Sequence, residues 1–425
     1  MSQVAIVGLG YVGLTTALGL AKIGQSVIGV EINPERVSSL RAGKLPIFEP
    51  GLDSELVNSL QTGQLELTSS IEDAAANSKV FFICVPTPQD DNGSADLKYV
   101  IAASRQIADC ASPGSVIVVK STVPVGTGEM LRNSIDRKDI SFASNPEFLR
   151  EGSALMDFME PDRIVVGADT LEVAEKILSL YANIEAPKVS TSVKSAELIK
   201  YAANAYLASR LSFVNDLAAL CEKVGANVDD VVSGMGSDSR IGNRFLQPGP
   251  GWGGSCFPKD TRALVSVAKN YGVNLGIVGA AIESNDNAFS RVVTRLKSLL
   301  GDELSGKNIA VWGLAFKANT DDTRDSPSLE IIKRLLSEGS KVKAFDPIAS
   351  APDWEGLTQA DSAAAAASGA DALLVVTEWS EFSKEDPKET AKVMKGSVVL
   401  DTRRILPVSK WSSEFQSFRI LGNGA

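Results

Sequence analysis

The chain has 425 residues, 42 Lys and Arg against 52 Asp and Glu, and a net charge of −10. That acidic balance excludes a general nucleic-acid binder, because neutralising phosphates takes clustered Lys and Arg. There is no histidine, so Ser-His-Asp triads and histidine-based zinc sites are excluded, and acid–base chemistry falls to Asp, Glu, Lys, Cys or Tyr.

At about 100–200 residues per domain, the length predicts two or three domains. Cys84, Cys110, Cys221 and Cys256 form no Cys-x-x-Cys. A zinc knuckle, a thioredoxin-type motif and a disulfide framework are therefore not expected, and the compartment reads as reducing and cytoplasmic. The apolar N-terminus lacks a basic segment and is broken by Gly8, Gly10 and Gly13, so it reads as strand, turn and helix rather than a leader. No apolar run reaches about 18 residues, so no membrane span is expected. Nothing suggests a metal.

In chain order, Gln3–Val7 reads as a strand, followed by a glycine turn and a helical Leu14–Ile23. Ser26–Val30 is a second strand ending in Glu31, and Val80–Val85 and Ser115–Val119 are further apolar strands. Strands alternating with helices predict a parallel α/β sheet. Ser192–Val224 has neither Gly nor Pro and reads as one long helix, stopped at Gly225. Asp229–Ala268 reads as helix and loop and Leu275–Leu300 as helix. Lys307–Val311, Lys341–Phe345, Ala372–Val376 and Ser397–Leu400 read as strands, and Ala363–Ala367 as a short helix. The expected fold is α/β: two Rossmann-like, doubly wound parallel-sheet domains joined by a long helix and a helical middle. The expected divisions are 1–190, 191–300 and 301–425.

Five motifs carry chemistry. Gly8-Leu9-Gly10-Tyr11-Val12-Gly13 follows a strand, opens a helix and precedes Glu31 at the end of the next strand. That context is a dinucleotide fingerprint, with the helix N-terminus for the pyrophosphate and the acid for ribose hydroxyls, which favours NAD. Arg36 stands close enough to accommodate a 2′-phosphate. Gly251-Trp252-Gly253-Gly254-Ser255-Cys256-Phe257-Pro258-Lys259-Asp260 sets a cysteine among glycines and charge, where a neighbouring cation favours a nucleophilic thiolate. The other three cysteines read as inert. Lys200 and Asn204 are four apart on the long helix, hence on one face, and can donate to a developing oxyanion. Glu147 and Glu151 lie in Ser144–Gly152 and read either as base and cofactor ligand or as two solvated acids. Phe316–Arg324 and Asp401–Arg404 each follow a strand of the second α/β half, where basic residues suit a phosphate-bearing ligand.

Together these describe a dehydrogenase with a covalent cysteine. Hydride removal gives an aldehyde, a thiolate adds to it, a second hydride removal gives a thioester, and water releases the acid.

The chain resembles the UDP-glucose/GDP-mannose dehydrogenase family along essentially its whole length. The resemblance rests on Gly8–Gly13, Ser121–Thr127, Asn145–Gly152, Glu197–Leu207, Arg240–Gly242, Gly251–Asp260 and Phe316–Arg324. It implies Cys256 as nucleophile, Lys200 and Asn204 around the oxyanion, Asp260 in proton transfer, and Glu147 with a Thr122-held water in thioester hydrolysis. Gly8, Gly10, Tyr11, Val12, Gly13, Glu31, Arg36, Thr87, Ser121, Thr122, Glu151, Lys259 and Arg324 would touch NAD. Phe316, Lys317 and Arg403 would bind the nucleotide sugar, with Glu147, Phe148, Leu149, Lys200, Asn204, Phe245 and Gly253 also lining it. Arg240 would reach the substrate of a neighbouring subunit, which implies a homodimer or a higher homo-oligomer built on the long helix. Phe257 after Cys256 resembles the glucose branch and implies UDP-glucose as substrate. GDP-mannose with the same chemistry is the alternative, followed by a two-electron hydroxyacid oxidation. Asp401-Thr402-Arg403-Arg404 departs from the Asp-Gly-Arg-Asn of many bacterial members.

Overall fold

The computed structural model describes residues 3–89 and 95–423. Strands β1 (Gln3–Val7), β2 (Val27–Val30), β3 (Leu65–Thr68), β4 (Ser78–Ile83), β5 (Val116–Val119), β6 (Ser141–Ser144), β7 (Ile164–Ala168) and β8 (Lys188–Thr191) form one sheet. Its order is β3-β2-β1-β4-β5-β6-β7-β8, parallel except where β7 runs antiparallel to β6. Strands β9 (Asn308–Trp312), β10 (Lys341–Phe345), β11 (Leu357–Gln359), β12 (Ala372–Val375), β13 (Val398–Asp401) and β14 (Ser417–Ile420) form a second, fully parallel sheet. Its order is β11-β10-β9-β12-β13-β14. Both sheets therefore reverse direction of winding beside their first strand, which opens the crevice where α/β ligands bind. Val7, the last residue of β1, lies between Val30 and Ile83, so the turn at Gly8 leaves the first sheet at that reversal.

Side chains alternate across the first sheet as the strand period requires. Val4, Ile6, Phe82 and Val118 pack on one face with Leu14 and Leu18 of the helix Tyr11–Lys22. Ala5, Val7, Phe81, Ile83 and Ile117 pack on the other with Val100 and Ile107 of the helix Lys98–Cys110. Burial on both faces explains why Val80–Ile83 is continuously apolar. The strand ends at Ile83, earlier than the apolar run, because Ser121 Oγ donates to the Val85 carbonyl (2.7 Å) and Pro86 has no N–H for a ladder.

The chain divides into two compact units, Met1–Ala203 with Ser266–Gly272, and Asn204–Val265 with Val273–Ala425. The helix Val193–Val224 is continuous and ends before Gly225, as expected. The helix-and-loop stretch resolves into helices Val228–Gly236 and Phe257–Asn270. Among the described residues no helix is long and apolar enough to cross a membrane.

In the second unit one face of the sheet closes on aromatics. Trp312 is fully buried, stacks on Phe382 with centroids 5.3 Å apart, and meets Trp411 edge-on at 5.8 Å. Its indole N–H donates to the Ala363 carbonyl, 3.0 Å away. Trp312→Ala is expected to destabilise by roughly 3–5 kcal/mol. A urea titration reads this as a lower midpoint, and an unmoved midpoint would mean that the face repacks without a cavity.

Candidate active site

In the first unit the glycine turn has little room for alternatives. Gly8 has φ +92°, and a Cβ on Gly13 would stand 1.8 Å from the Gly8 carbonyl oxygen. A Cβ on Gly10 would meet nothing within 4 Å, which is the open backbone that a pyrophosphate needs. Tyr11 and Val12 begin the helix that follows. Glu31 lies just beyond β2, buried, where it accepts from the Asn33 N–H (3.1 Å) and Arg36 (3.3 Å). Arg36 is thus engaged by Glu31. Thr87 Oγ1 donates to the Thr122 carbonyl (2.9 Å), so Thr87, Ser121 and Thr122 come together past the ends of β4 and β5. These features fit a dinucleotide: a cradle of unobstructed backbone and an acid at the next strand end.

The same unit holds a buried ion pair. Lys200 Nζ lies 2.9 Å from Glu147 Oε1, with both side chains buried. Glu147 Oε2 accepts the Leu149 N–H at 2.6 Å. Burial works to raise the Glu147 carboxyl, but the Lys200 charge and hydrogen bond, the Leu149 amide and Lys120 outweigh it and hold the group below the usual carboxylate range. Of the two readings of Glu147, the solvated acid is therefore excluded. The Phe148 ring carries Arg163 3.6 Å from its centroid and Lys200 Nζ at 5.5 Å. Glu151 is half-buried, and its charge bears on Tyr11.

In the second unit Cys256 is half-buried and immediately precedes the helix Phe257–Asn270, whose dipole favours an anion at this end. Asp260 is fully buried one turn on, and its N–H donates to the Cys256 carbonyl (2.8 Å). Its carboxylate accepts from Asn204 Nδ2 (2.6 Å) and pairs with Lys259 Nζ (2.5 Å). The cation beside the cysteine is thus balanced by the acid that orients Asn204. Glycines seat the loop on the Phe316–Asp325 segment: a Cβ on Gly253 would stand 1.9 Å from the Asp325 carbonyl oxygen, and one on Gly254 2.7 Å from the Phe316 ring. The Gly254 N–H donates to the Arg324 carbonyl (3.1 Å), and the Arg324 side chain pairs with Asp322 (2.7 Å). Arg403 donates to the carbonyls of Val376 (2.7 Å) and Phe316 (2.9 Å) and pairs with Glu378 (3.1 Å). Lys317 Nζ sits 5.5 Å from the Phe316 ring centroid. Gly253, Phe316, Arg324 and Arg403 are therefore brought together around the cysteine loop. A cavity of about 610 Å³ opens beside Arg403, lined also by Gln247, Pro248, Asp229 and Arg404. Arg404 has φ 61° and reaches Asp229 and the Leu421 carbonyl.

Two further predicted residues lie on the segment after the helix Val228–Gly236. Arg240 is highly exposed and pairs with Asp238 of its own loop (2.6 Å). Phe245, nearby in sequence, is half-buried with φ 59°. Of the remaining cysteines, Cys84 and Cys221 are buried, and burial pushes the Cys84 thiol up to about 12, which suits an inert group.

Sequence reasoning missed three supporting groups. Lys120 is fully buried and donates to Asn145 Oδ1 (3.1 Å), which also accepts from Tyr181 Oη (2.7 Å). Glu197 accepts the N–H groups of Gly126 (2.6 Å) and Gly128 (2.8 Å), tying the long helix one turn before Lys200 to the segment after Thr122. Glu49 accepts from Tyr11, Gly152 and Ala154. The partners of Glu197 and Glu49 are mostly main-chain amides distant in sequence, which no local spacing reveals.

Comparison with known proteins gives one answer along the chain. Residues 2–185, 194–287 and 310–408 match the NAD binding, central and UDP binding domains of the UDP-glucose/GDP-mannose dehydrogenase family. The chain is 43% identical over 417 residues to a UDP-glucose 6-dehydrogenase of Rhizobium meliloti, covering 95% of each chain. It is 40% identical to one from Bacillus subtilis, covering 100% of this chain and 94% of the relative. Among solved structures it is similar to a UDP-glucose dehydrogenase from Pyrobaculum islandicum, with TM-score 0.91, 37% identity and coverage of 100% and 98%.

Lys200→Ala strands the buried Glu147 carboxylate without its cation, and stability is expected to fall by roughly 3–5 kcal/mol. The pair also sets an acid limb. Glu147 has a folded pKa below its unfolded one, so its contribution is complete above the usual carboxylate range and is lost as pH falls through the folded value. Chemical denaturation from neutral to acid pH should show wild type and Glu147→Gln converging at low pH. Parallel curves would mean that Glu147 is not charged in the folded protein.

Proposed function

Because the chain belongs to the UDP-glucose/GDP-mannose dehydrogenase family, we propose that it oxidises UDP-glucose to UDP-glucuronate by four electrons through a covalent intermediate on Cys256. It is an NAD-dependent oxidoreductase. The observation that carries the reading is the cysteine loop. Cys256 is half-buried at a helix start, its neighbour Asp260 fully buried and bonded to Asn204, and its glycines seated against Phe316 and Asp325. A two-electron oxidation has no use for such a thiol. The substrate assignment is supported by the names of the relatives at 40–43% identity.

NAD supplies hydride acceptance when bound, and the turn Gly8–Gly13 with Glu31 would hold it. Lys200, held as a cation by Glu147, would stabilise the oxyanion together with Asn204, and Asp260 would assist the transfer of the proton from the sugar's C6 hydroxyl. The Cys256 thiolate would add to the aldehyde to give a thiohemiacetal, whose oxidation leaves a thioester on Sγ. Glu147 would then take a proton from the water that Thr122 holds. Water adds to the thioester carbon, the C–S bond breaks, and the electron pair leaves on Sγ. Thr87, Ser121, Glu151, Lys259 and Arg324 are assigned to the cofactor, and Phe148, Leu149, Phe245, Gly253, Phe316, Lys317 and Arg403 to the nucleotide sugar. The functional division follows 1–190 for cofactor, 191–300 for cysteine and assembly, and 301–425 for the UDP end.

The assembly is assigned as a homodimer or higher, in the cytoplasm. Tyr206, Phe213, Leu220 and Val224 are each more than half exposed and recur on one side of the long helix. A second copy of the same helix would cover them. Arg240, whose side chain is 87% exposed and paired with Asp238 of its own loop, would then reach a neighbouring subunit's substrate.

Two experiments test this. NADH formed per UDP-glucose consumed, run to completion with GDP-mannose in parallel, is expected to be two, and to vanish in Cys256→Ser. One NADH per sugar sinks the four-electron scheme, and turnover of GDP-mannose alone overturns the substrate. Mixing inactive Arg240→Ala with inactive Cys256→Ser, after dissociation and reassembly, is expected to restore activity in mixed assemblies, since one site then regains both groups. No recovery would place Arg240 in its own subunit's site.

A further inference from the structure

We propose that Glu49 is a positioning residue for thioester hydrolysis, fixing the loop that presents Glu147. The inference rests on the covalent Cys256 reading above. Glu49 lies between the helices Pro34–Arg41 and Leu52–Gln61 and is 4% exposed. Its Oε2 accepts the Tyr11 hydroxyl (2.6 Å) and the Gly152 N–H (2.7 Å), and its Oε1 accepts the Ala154 N–H (2.8 Å). An ionised carboxylate only accepts, so three donors are what its burial demands. One donor belongs to the first residue of the helix Tyr11–Lys22, and the other two close the loop that carries Glu147 and Glu151.

That loop is clamped at both ends. At its start, Asn145 donates to the Val165 carbonyl (2.7 Å) and accepts from Tyr181 and Lys120. At its end, Glu49 holds Gly152 and Ala154. The bonds from Arg150 and Ser153 to Asp157 are local to the loop and the helix that follows. They shape the turn, whereas Glu49 ties it to the start of the helix Tyr11–Lys22. Between the clamps Glu147 makes its bonds to Lys200 and Leu149. Loosening the Glu49 end shifts Glu147 against the water it must deprotonate. The two oxidations need Glu147 only as the anchor of Lys200, so hydrolysis is the half-reaction that slows.

Glu49→Gln keeps the size of the side chain but replaces one acceptor by an N–H₂ group that faces another donor. Slowed hydrolysis lowers kcat and KM together while kcat/KM holds. The expected loss in kcat is up to about 100-fold, the scale of a small misplacement in an active site. A burst of two NADH per active site precedes the steady state, and intact-mass analysis of quenched enzyme finds the nucleotide-sugar acyl group on Cys256. The burst amplitude counts folded sites, so partial misfolding does not imitate the effect. Should Glu49→Gln yield no folded protein, Glu49→Asp, which keeps the charge but withdraws it by one methylene, carries the same readouts. A kcat that falls only in proportion to burst amplitude, with no adduct, assigns Glu49 a purely structural role and overturns the proposal. So does a wild-type kcat without adduct. Failure of the wild type to give two NADH per UDP-glucose would instead sink the covalent reading and this inference with it.

Discussion

A buried carboxylate must have its oxygens filled with donors, because leaving a charge unpaired in the interior costs several kcal/mol. The protein has no histidine, so its buried charges are carried by carboxylates and lysines such as Glu147, Asp260, Lys120 and Lys200, and this constraint shapes the site. Glu147 is filled by Lys200 and the Leu149 amide, Asp260 by Asn204 and Lys259, and Glu197 by the amides of Gly126 and Gly128. Each saturated acid fixes the segment that supplies its donors. The chemistry is thus held in place by the same bonds that make burial tolerable.

The fold was legible because its signals are local. Gly8, Gly10 and Gly13 after an apolar run, and an acid at the next strand end, identify the nucleotide turn through sterics confined to a few residues. The long helix declared itself by the lack of Gly and Pro from Ser192 to Val224 and by Gly225 after it. The cysteine loop was legible as a unit for the same reason, since its glycines and charges are contiguous. The supporting groups were not. Glu49 reads as an acid before Pro-Gly at the start of a helix, and its three partners lie about 40 to 100 residues away. Glu147 and Glu151 gave no hint of which was buried, because the partner that decides it, Lys200, comes from another element. Arg403 offered a cation for a phosphate, yet the guanidinium is engaged by Glu378 and two carbonyls. A basic residue after a strand marks a ligand end of the sheet without saying what the residue itself holds.

The second sheet repeats the order of the first six strands of the first sheet, but the two treat the turn at the reversal differently. In the first, the acid after β2, Glu31, bonds within its own segment, to Asn33 and Arg36. In the second, the acid after β10, Asp346, turns its carboxylate onto the N–H groups of Leu314 (2.7 Å) and Ala315 (3.0 Å), just beyond Gly313. It also takes the Trp379 indole and the amides of Ile348 and Ala349. Those glycine-turn amides are the donors that a dinucleotide fold offers to a pyrophosphate. Here a buried protein carboxylate already satisfies them, and displacing it would leave that charge unpaired. The second sheet therefore keeps the architecture of a nucleotide fold while closing its phosphate turn.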